Sequence, residues 1–351
     1  MNDILKRLKL LENWEPKEDW LKITTIDAHS AGEPLRIIIS GFPEIKGKTI
    51  LEYRQFVKDN FDHLRTGLMW EPRGHADMYG CIITPPVTST ADFGILFLHN
   101  EGYSTMCGHA ILTITKVVIE TEILEMKSPI TEVKIDTPAG LVTAFAKIEN
   151  GRVGNVYFNN VPSFVVAIDQ TIKVPDVGVI NYDLAFGGAF YVFVQADEVG
   201  VTLTPEHSTT LIKKGMAIKR TIMKNRTIKH PFESDLNFLY GTIFIGDPLS
   251  KDADSRNVCI FADGEVDRCP TGTGVSARMA IHYKKGEIGI NESMIIESII
   301  GSKYIGSVVE TTTFGGIEAV IPRVEGTAHI TGINKFIFDP NEPLKNGFIL
   351  R

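Results

Sequence analysis

Cysteine is scarce in this chain. Its 351 residues hold four, Cys81, Cys107, Cys259 and Cys269, too few for a disulfide framework and without the paired C-x-x-C spacing of a zinc site. Blocks of basic charge are lacking as well. Lys plus Arg number 36 against 43 Asp plus Glu, a formal net charge of −7, and no run of five or more basic residues occurs, which argues against nucleic acid or an anionic membrane surface as partner. No apolar run reaches the roughly 18 residues of a membrane helix, and the start, Met1-Asn2-Asp3-Ile4-Leu5-Lys6, has no secretory apolar core, so a cytoplasmic location is expected. The H-E-x-x-H, Walker A, G-x-G-x-x-G and G-x-S-x-G patterns are absent too, which removes the commonest metal, nucleotide and hydrolase readings. What remains is an ordinary globular composition, 43% hydrophobic and 23% charged, with length for two domains at roughly 150 residues each.

Hydrophobic spacing divides the chain into two similar halves. Residues 1–20 carry a short helical pattern (Ile4, Leu5, Leu8, Leu11) followed by Trp14 and Trp20, read as a helix laid across the outside of the first domain. Strands are expected around Ile23–Ile26 and Leu35–Ile39, then a helix over 49–65. Short β-rich segments follow at 81–83, 94–98, 133–135, 141–146, 153–158 and 190–194. Among them lies Gly108–Glu120, apolar around most of its circumference and therefore a buried helix. The second half repeats the plan. A helix over 205–224 precedes strands at 238–245 and 257–261, a second buried helix at 274–285, and strands at 307–313, 317–324 and 328–330.

Each buried helix opens from a turn with chemical content. The first turn runs His99-Asn100-Glu101-Gly102-Tyr103-Ser104-Thr105-Met106-Cys107-Gly108-His109. A thiol at a helix N-terminus sits where thiolate pKa values fall, and the free amides of the first turn can hold an anion. Cys107 is thus the candidate reactive thiol, against the alternative of a buried structural cysteine. The second turn, Asp263 to Gly274, contains Asp267-Arg268-Cys269-Pro270-Thr271-Gly272-Thr273-Gly274, whose glycines permit close backbone approach to a ligand. If the halves face each other, two helix N-termini converge on one cleft. Such a cleft suits a carboxylate and proton chemistry at the carbon beside it, with no metal required.

These words, together with Asp27-Ala28-His29-Ser30-Ala31-Gly32-Glu33-Pro34-Leu35-Arg36, Glu71-Pro72-Arg73-Gly74-His75-Ala76-Asp77-Met78-Tyr79-Gly80 and Phe186-Gly187-Gly188-Ala189-Phe190-Tyr191, resemble the proline racemase superfamily, most closely its trans-3-hydroxy-L-proline dehydratase branch. Racemases of that family carry Asp-Arg-Ser-Pro-Cys-Gly-Thr-Gly before the second helix. Here Thr271 stands where the second catalytic cysteine belongs, as in the dehydratase branch, and Cys269 replaces the serine two residues earlier. A threonine hydroxyl is too weak an acid to exchange α-protons usefully. With one thiol the α-proton can be removed but not redelivered from the opposite face, and a 3-hydroxyl on the substrate is then expelled.

The resemblance implies a cofactor-independent hydro-lyase acting on hydroxyproline, with Cys107 as general base and Thr271 on the opposite face, in contact with substrate or the departing hydroxyl. It implies His109 and Asp267 about the ring nitrogen, and the amides of Gly108, His109, Gly272 and Thr273 around the substrate carboxylate. It also implies a homodimer and an α/β (α+β) fold like diaminopimelate epimerase, two pseudo-symmetric domains each a curled, mostly antiparallel sheet around a central helix. The expected division is 1–155 plus 330–351, carrying Cys107, and 156–329, carrying Thr271. His75 and Asp77 are open between lining the cleft and holding a turn. Asp27, His29 and Glu33 read as a structural cluster, Tyr191 as a ligand contact, and Cys81 and Cys259 as core. Two other readings stand beside the dehydratase: a racemase or 3-hydroxyproline 2-epimerase using Cys107 and Cys269, and a non-catalytic binder of the same fold.

Overall fold

The helix at Gly108–Glu120 is the axis of the first half. In the computed structural model, which describes residues 3–11 and 14–350, the helices are α1 (Asp3–Leu10), α2 (Ile50–Met69), α3 (Gly108–Glu120), α4 (Ser208–Asn225) and α5 (Gly272–Lys285). From Ala110 to Ile114 and Val117 to Ile119 the apolar side chains of α3 have essentially no exposed surface. A helix apolar on all sides needs partners on all sides, and strands of both halves supply them.

Both halves use one strand order. In the first, the hairpin Leu21–Ser30/Glu33–Ser40 leads through α2 to Tyr79–Thr84, which lies parallel to the hairpin's second strand. Phe93–His99 then runs antiparallel to Tyr79–Thr84, α3 follows, and Ile130–Thr137 returns parallel to Phe93–His99 and antiparallel to Gly140–Glu149. In the second, Gly178–Phe186/Phe190–Gln195 leads through α4 to Leu239–Gly246, again parallel. Ser255–Phe261 is antiparallel to it, α5 follows, and Ser293–Glu297 returns parallel, then pairs antiparallel with Lys303–Phe314. The fold is therefore α/β with two curled, largely antiparallel lobes, each wrapped around one central helix.

Two long strands tie the lobes together. Ile317–Gly326 pairs with both Arg152–Asn159 and Ser163–Val174, and Ala328–Phe338 runs back along the whole of Leu21–Ser30, from Leu21 opposite Phe338 to Ser30 opposite Ala328. Spacing alone missed Ser163–Val174, Gly178–Phe186 and Ser293–Glu297. The outer parts of the first two carry solvent-facing polar residues within an interrupted alternation, so their pattern is weak.

Local signals account for several boundaries. Thr49 caps α2 by accepting the Glu52 amide at 3.1 Å, while the Glu52 carboxylate accepts the Lys48 amide. Gly286, at φ 73°, ends α5 in the left-handed conformation typical of helix C-termini. The N-terminal helix departs from expectation. Ile4, Leu5, Leu8 and Leu11 are exposed rather than laid on the first lobe, and Trp14 packs edge-on against Trp20 instead. Residues 1, 2, 12 and 13 of that stretch lie outside the described residues. Among the described residues no helix is long and apolar enough to cross a membrane.

Candidate active site

The two central helices meet at their N-termini. A Cβ on Gly108 would stand 2.6 Å from the Gly272 Cα, and one on Gly272 would stand 2.7 Å from the Gly108 Cα, so only glycine permits this approach at either position. Bringing together two sets of unpaired N–H groups and two positive dipole ends is unfavourable by itself. It prepares a strong site for an anion between them.

A small cavity of about 20 Å³ lies at this junction, the space of about one water molecule. Cys107, Gly108, His109, Asp267, Thr271, Gly272 and Thr273 all line it. Glu33, Tyr79, Met106, Tyr191, Tyr240 and Phe261 complete the wall. That space is smaller than a ring the size of proline. A larger groove of about 540 Å³, by Tyr283, Lys284 and Glu318 on the second lobe, contains none of these groups.

Cys107 occupies the N-cap of α3 in extended conformation, and its thiol makes no capping bond. The Sγ atom is 3.1 Å from His109 Nδ1, while Nε2 of the same ring is 3.2 Å from the Pro34 carbonyl. Burial lowers His109 to about 3, so its ring is neutral, Nε2–H donates to Pro34, and Nδ1 accepts from the thiol. The expected depression of the thiol is reversed in this closed cavity. Burial pushes Cys107 well above the ordinary cysteine range, outweighing the Ala110 amide and the Tyr79 hydroxyl, which pull it down, and the carboxyls of Asp267 and Glu33 push it further up. The Tyr79 hydroxyl also bonds Ser104, which meets Tyr240 at 2.7 Å, a buried hydroxyl chain behind the thiol.

Thr271 occupies the corresponding N-cap of α5 but at φ 66°, a left-handed conformation that a β-branched residue adopts only under strain of about 1–3 kcal/mol. Three bonds hold this turn. Its hydroxyl donates to Asp267 Oδ2 at 2.8 Å, its amide donates to Cys269 Sγ at 3.3 Å, and the Cys269 amide donates to Asp267 Oδ1 at 2.8 Å. Burial raises the Asp267 carboxyl above its ordinary range, and its two donors pull it only part of the way back. Thr273 bonds the Tyr191 hydroxyl at 2.6 Å.

Cys269 is fully buried, its sulfur directed to the Thr271 amide, and it does not line the cavity. The Asp27, His29 and Glu33 cluster divides. Asp27 forms an ion pair with Arg36 at 2.9 Å, and His29 accepts the Gly32 amide beside His329, whereas Glu33 belongs to the cavity wall. His75 bonds the neighbouring Ala76 carbonyl, the Asp77 carbonyl accepts from Arg268 of the other lobe, and neither residue lines the cavity. Tyr79, Tyr240, Phe261 and Met106 were not singled out in the sequence. Their only local signal is that of ordinary apolar strand and turn residues, although Tyr79 lies within a family-like word.

Comparison with known proteins agrees with this fold. The family model described as proline racemase matches residues 25–349. A protein named trans-3-hydroxy-L-proline dehydratase from Colwellia psychrerythraea is 48% identical, covering 97% of both chains. Another of that name, from Bacillus thuringiensis subsp. konkukian, is 49% identical over 93% of this chain and 98% of its own. The crystal structure of a hydroxyproline epimerase from Agrobacterium vitis with bound trans-4-hydroxy-L-proline superposes with a TM-score of 0.85 at 31% identity, covering 94% of this chain and 96% of that one. With a match running through both lobes and both helix turns, the chain belongs to the proline racemase family.

Proposed function

We propose that the protein dehydrates trans-3-hydroxy-L-proline to Δ1-pyrroline-2-carboxylate without a cofactor, with the reaction centred on Cys107. The observation that carries this reading is the pairing of a thiol at one helix N-terminus with a threonine at the other, on one cavity wall. The substrate carboxylate lies between the two helix ends, against the amides of Gly108, His109, Gly272 and Thr273. Asp267 faces the ring nitrogen, and its charge complements the secondary ammonium.

The lobes open to admit the substrate and close to exclude water. Arrival of the ammonium beside Cys107 supplies the positive charge that the closed cavity lacks and favours the thiolate. Cys107 takes the α-proton, and the electron pair of that bond becomes the C2–C3 double bond as the C3–O bond breaks. Protonation of the departing hydroxyl yields water, and the enamine tautomerises to the imine. Thr271 has no acid of useful strength to offer the opposite face, so the carbanion-like species is not reprotonated there.

The division into 1–155 plus 330–351 and 156–329 belongs to this reading, supported by the pairing of Ala328–Phe338 with Leu21–Ser30. The family resemblance supports a homodimer. The test is incubation in D2O with trans-3-hydroxy-L-proline and, separately, with L-proline. Δ1-Pyrroline-2-carboxylate from the first and no D-proline from the second is the expected result; D-proline without pyrroline product overturns it.

A further inference from the structure

Dehydration needs an acid as well as a base, and the substrate's stereochemistry says where it must stand. In trans-3-hydroxy-L-proline the hydroxyl and the carboxylate lie on opposite faces of the ring. The α-hydrogen is also opposite the carboxylate, so the hydroxyl and the α-hydrogen share a face. If Cys107 removes that hydrogen, the hydroxyl leaves on the Cys107 side, and Thr271 on the opposite face cannot protonate it.

Few groups on the Cys107 side hold a transferable proton. His109 is neutral, with its N–H committed to Pro34 and its other nitrogen facing the thiol. Burial pushes the Tyr79 hydroxyl far up, and it is shared between Cys107 and Ser104. Glu33 differs from both. It lies in the same lobe as Cys107, immediately before Pro34, and has no exposed surface, yet it lines the cavity. Its Oε2 accepts the Arg268 amide at 2.8 Å, with the Arg268 guanidinium 3.6 Å away, while its Oε1 is buried with no hydrogen-bond partner among the described residues. An orphaned carboxyl oxygen in the wall of a reaction cavity calls for an explanation.

We propose that Glu33 is the general acid of the dehydration, carrying on Oε1 the proton that goes to the departing 3-hydroxyl. This rests on the dehydratase reading above. Its neighbours favour the acid form: burial and the Asp267 carboxyl push Glu33 well up, the Arg268 charge and amide pull it back, and Asp77 adds a further push. Between the two buried carboxyls, Asp267 has two donors to hold its charge and Glu33 one amide, so the proton belongs to Glu33. The balance closes. The α-proton goes to the Cys107 thiolate, the C–H pair forms the π bond, the C–O pair leaves with oxygen and takes the Glu33 proton, and water results. Cys107 ends as thiol and Glu33 as carboxylate. One proton passed from sulfur to carboxylate through water after opening restores the start.

The test compares two leaving groups on one protein. Loss of fluoride from trans-3-fluoro-L-proline gives the same enamine but depends far less on an acid, fluoride being a much weaker base than hydroxide. Glu33→Gln should lose water elimination by roughly a hundredfold to ten-thousandfold while fluoride release, read by electrode, falls no more than about fivefold. In that variant α-proton exchange of L-proline in D2O should persist, since it needs only Cys107. The ratio of the two eliminations does not depend on the fraction folded. Should Glu33→Gln not fold, the wild-type pH profiles decide: kcat for water elimination should fall at alkaline pH as Glu33 loses its proton, and kcat for fluoride elimination should not fall with it. Equal loss of both eliminations in the variant, water elimination within about threefold of wild type, or matching alkaline limbs for the two substrates overturns the assignment. Wild-type enzyme that forms no pyrroline product from either substrate sinks the dehydratase reading itself, and Glu33's role with it.

Discussion

The turns before α3 and α5 occupy equivalent places in two lobes of one topology, yet they hold their N-cap residues in opposite ways. Neither N-cap side chain caps its own helix, but Cys107 is extended and its thiol meets a neutral histidine. Thr271 is left-handed and tied by its hydroxyl to Asp267 and by its amide to Cys269. One turn presents a reactive atom that only its surroundings restrain. The other spends its N-cap side chain on orienting a carboxylate. In the proposed mechanism, this chemical asymmetry in a symmetric frame lets one face of the substrate exchange protons while the other is only held.

The largest expected effect removes the reactive member. Cys107→Ser should lower pyrroline formation by about a thousandfold or more while leaving the melting temperature nearly unchanged, because an alcohol is far too weakly acidic to supply the base. Wild-type turnover in that variant would show that the base lies elsewhere.

Making the turns alike tests the comparison from the other side. Thr271→Cys should introduce α-carbon epimerisation, detected by chiral chromatography of proline recovered from D2O, since a thiol then faces each side. Absence of any D-proline from a folded variant would mean that the left-handed turn aims its side chain away from the α-carbon.

The close approach of the turns can be broken without touching either reactive side chain. Gly272→Ala places a methyl group against Gly108 and should destabilise the protein by about 1–3 kcal/mol, read in denaturant unfolding. An unchanged midpoint would mean that the helix ends stand further apart.

Protonation offers a subtler contrast. Because burial raises Cys107, less thiolate is present at neutral pH than in a free cysteine, and its fraction keeps rising above the pH at which free cysteine has levelled off. Iodoacetamide labelling of Cys107 in ligand-free enzyme, followed by mass spectrometry, should therefore still climb at strongly alkaline pH. A plateau near neutrality would place the thiol below its ordinary range. The smallest effect belongs to Cys269→Ser, which should change dehydration by no more than about threefold, since its sulfur is turned from the cavity. A large loss would restore the racemase-type reading that uses it.

Much of the frame was legible along the chain because its signals are local. Gly108–Glu120 reads as a buried helix from its apolar circumference, and the structure starts and ends it at those residues. The second buried helix begins two residues earlier than its spacing suggests, at Gly272, because the turn amides join the helix. Ser163–Val174 and Gly178–Phe186, which pair with each other as a hairpin, were not legible because solvent-facing polar residues interrupt their alternation. Glu33 is the instructive site residue. Beside Asp27 and His29 it looks like one more polar group at a strand end, and only the packing of Arg268 from the other lobe separates it from them.

The sequence by itself determined which chemistry is possible: one thiol at a helix-opening turn, a threonine at its counterpart, and glycines where helix ends must touch. These follow from residue identity and short-range spacing. The tertiary structure alone decided that the two helix ends meet, that Tyr79, Tyr240 and Phe261 wall the cavity, that burial raises the Cys107 thiol, and that a carboxyl oxygen of Glu33 is left without a partner among the described residues. The reason is physical. Burial and long-range Coulomb terms depend on what the fold brings within a few ångströms, and no local stretch of chain contains that information.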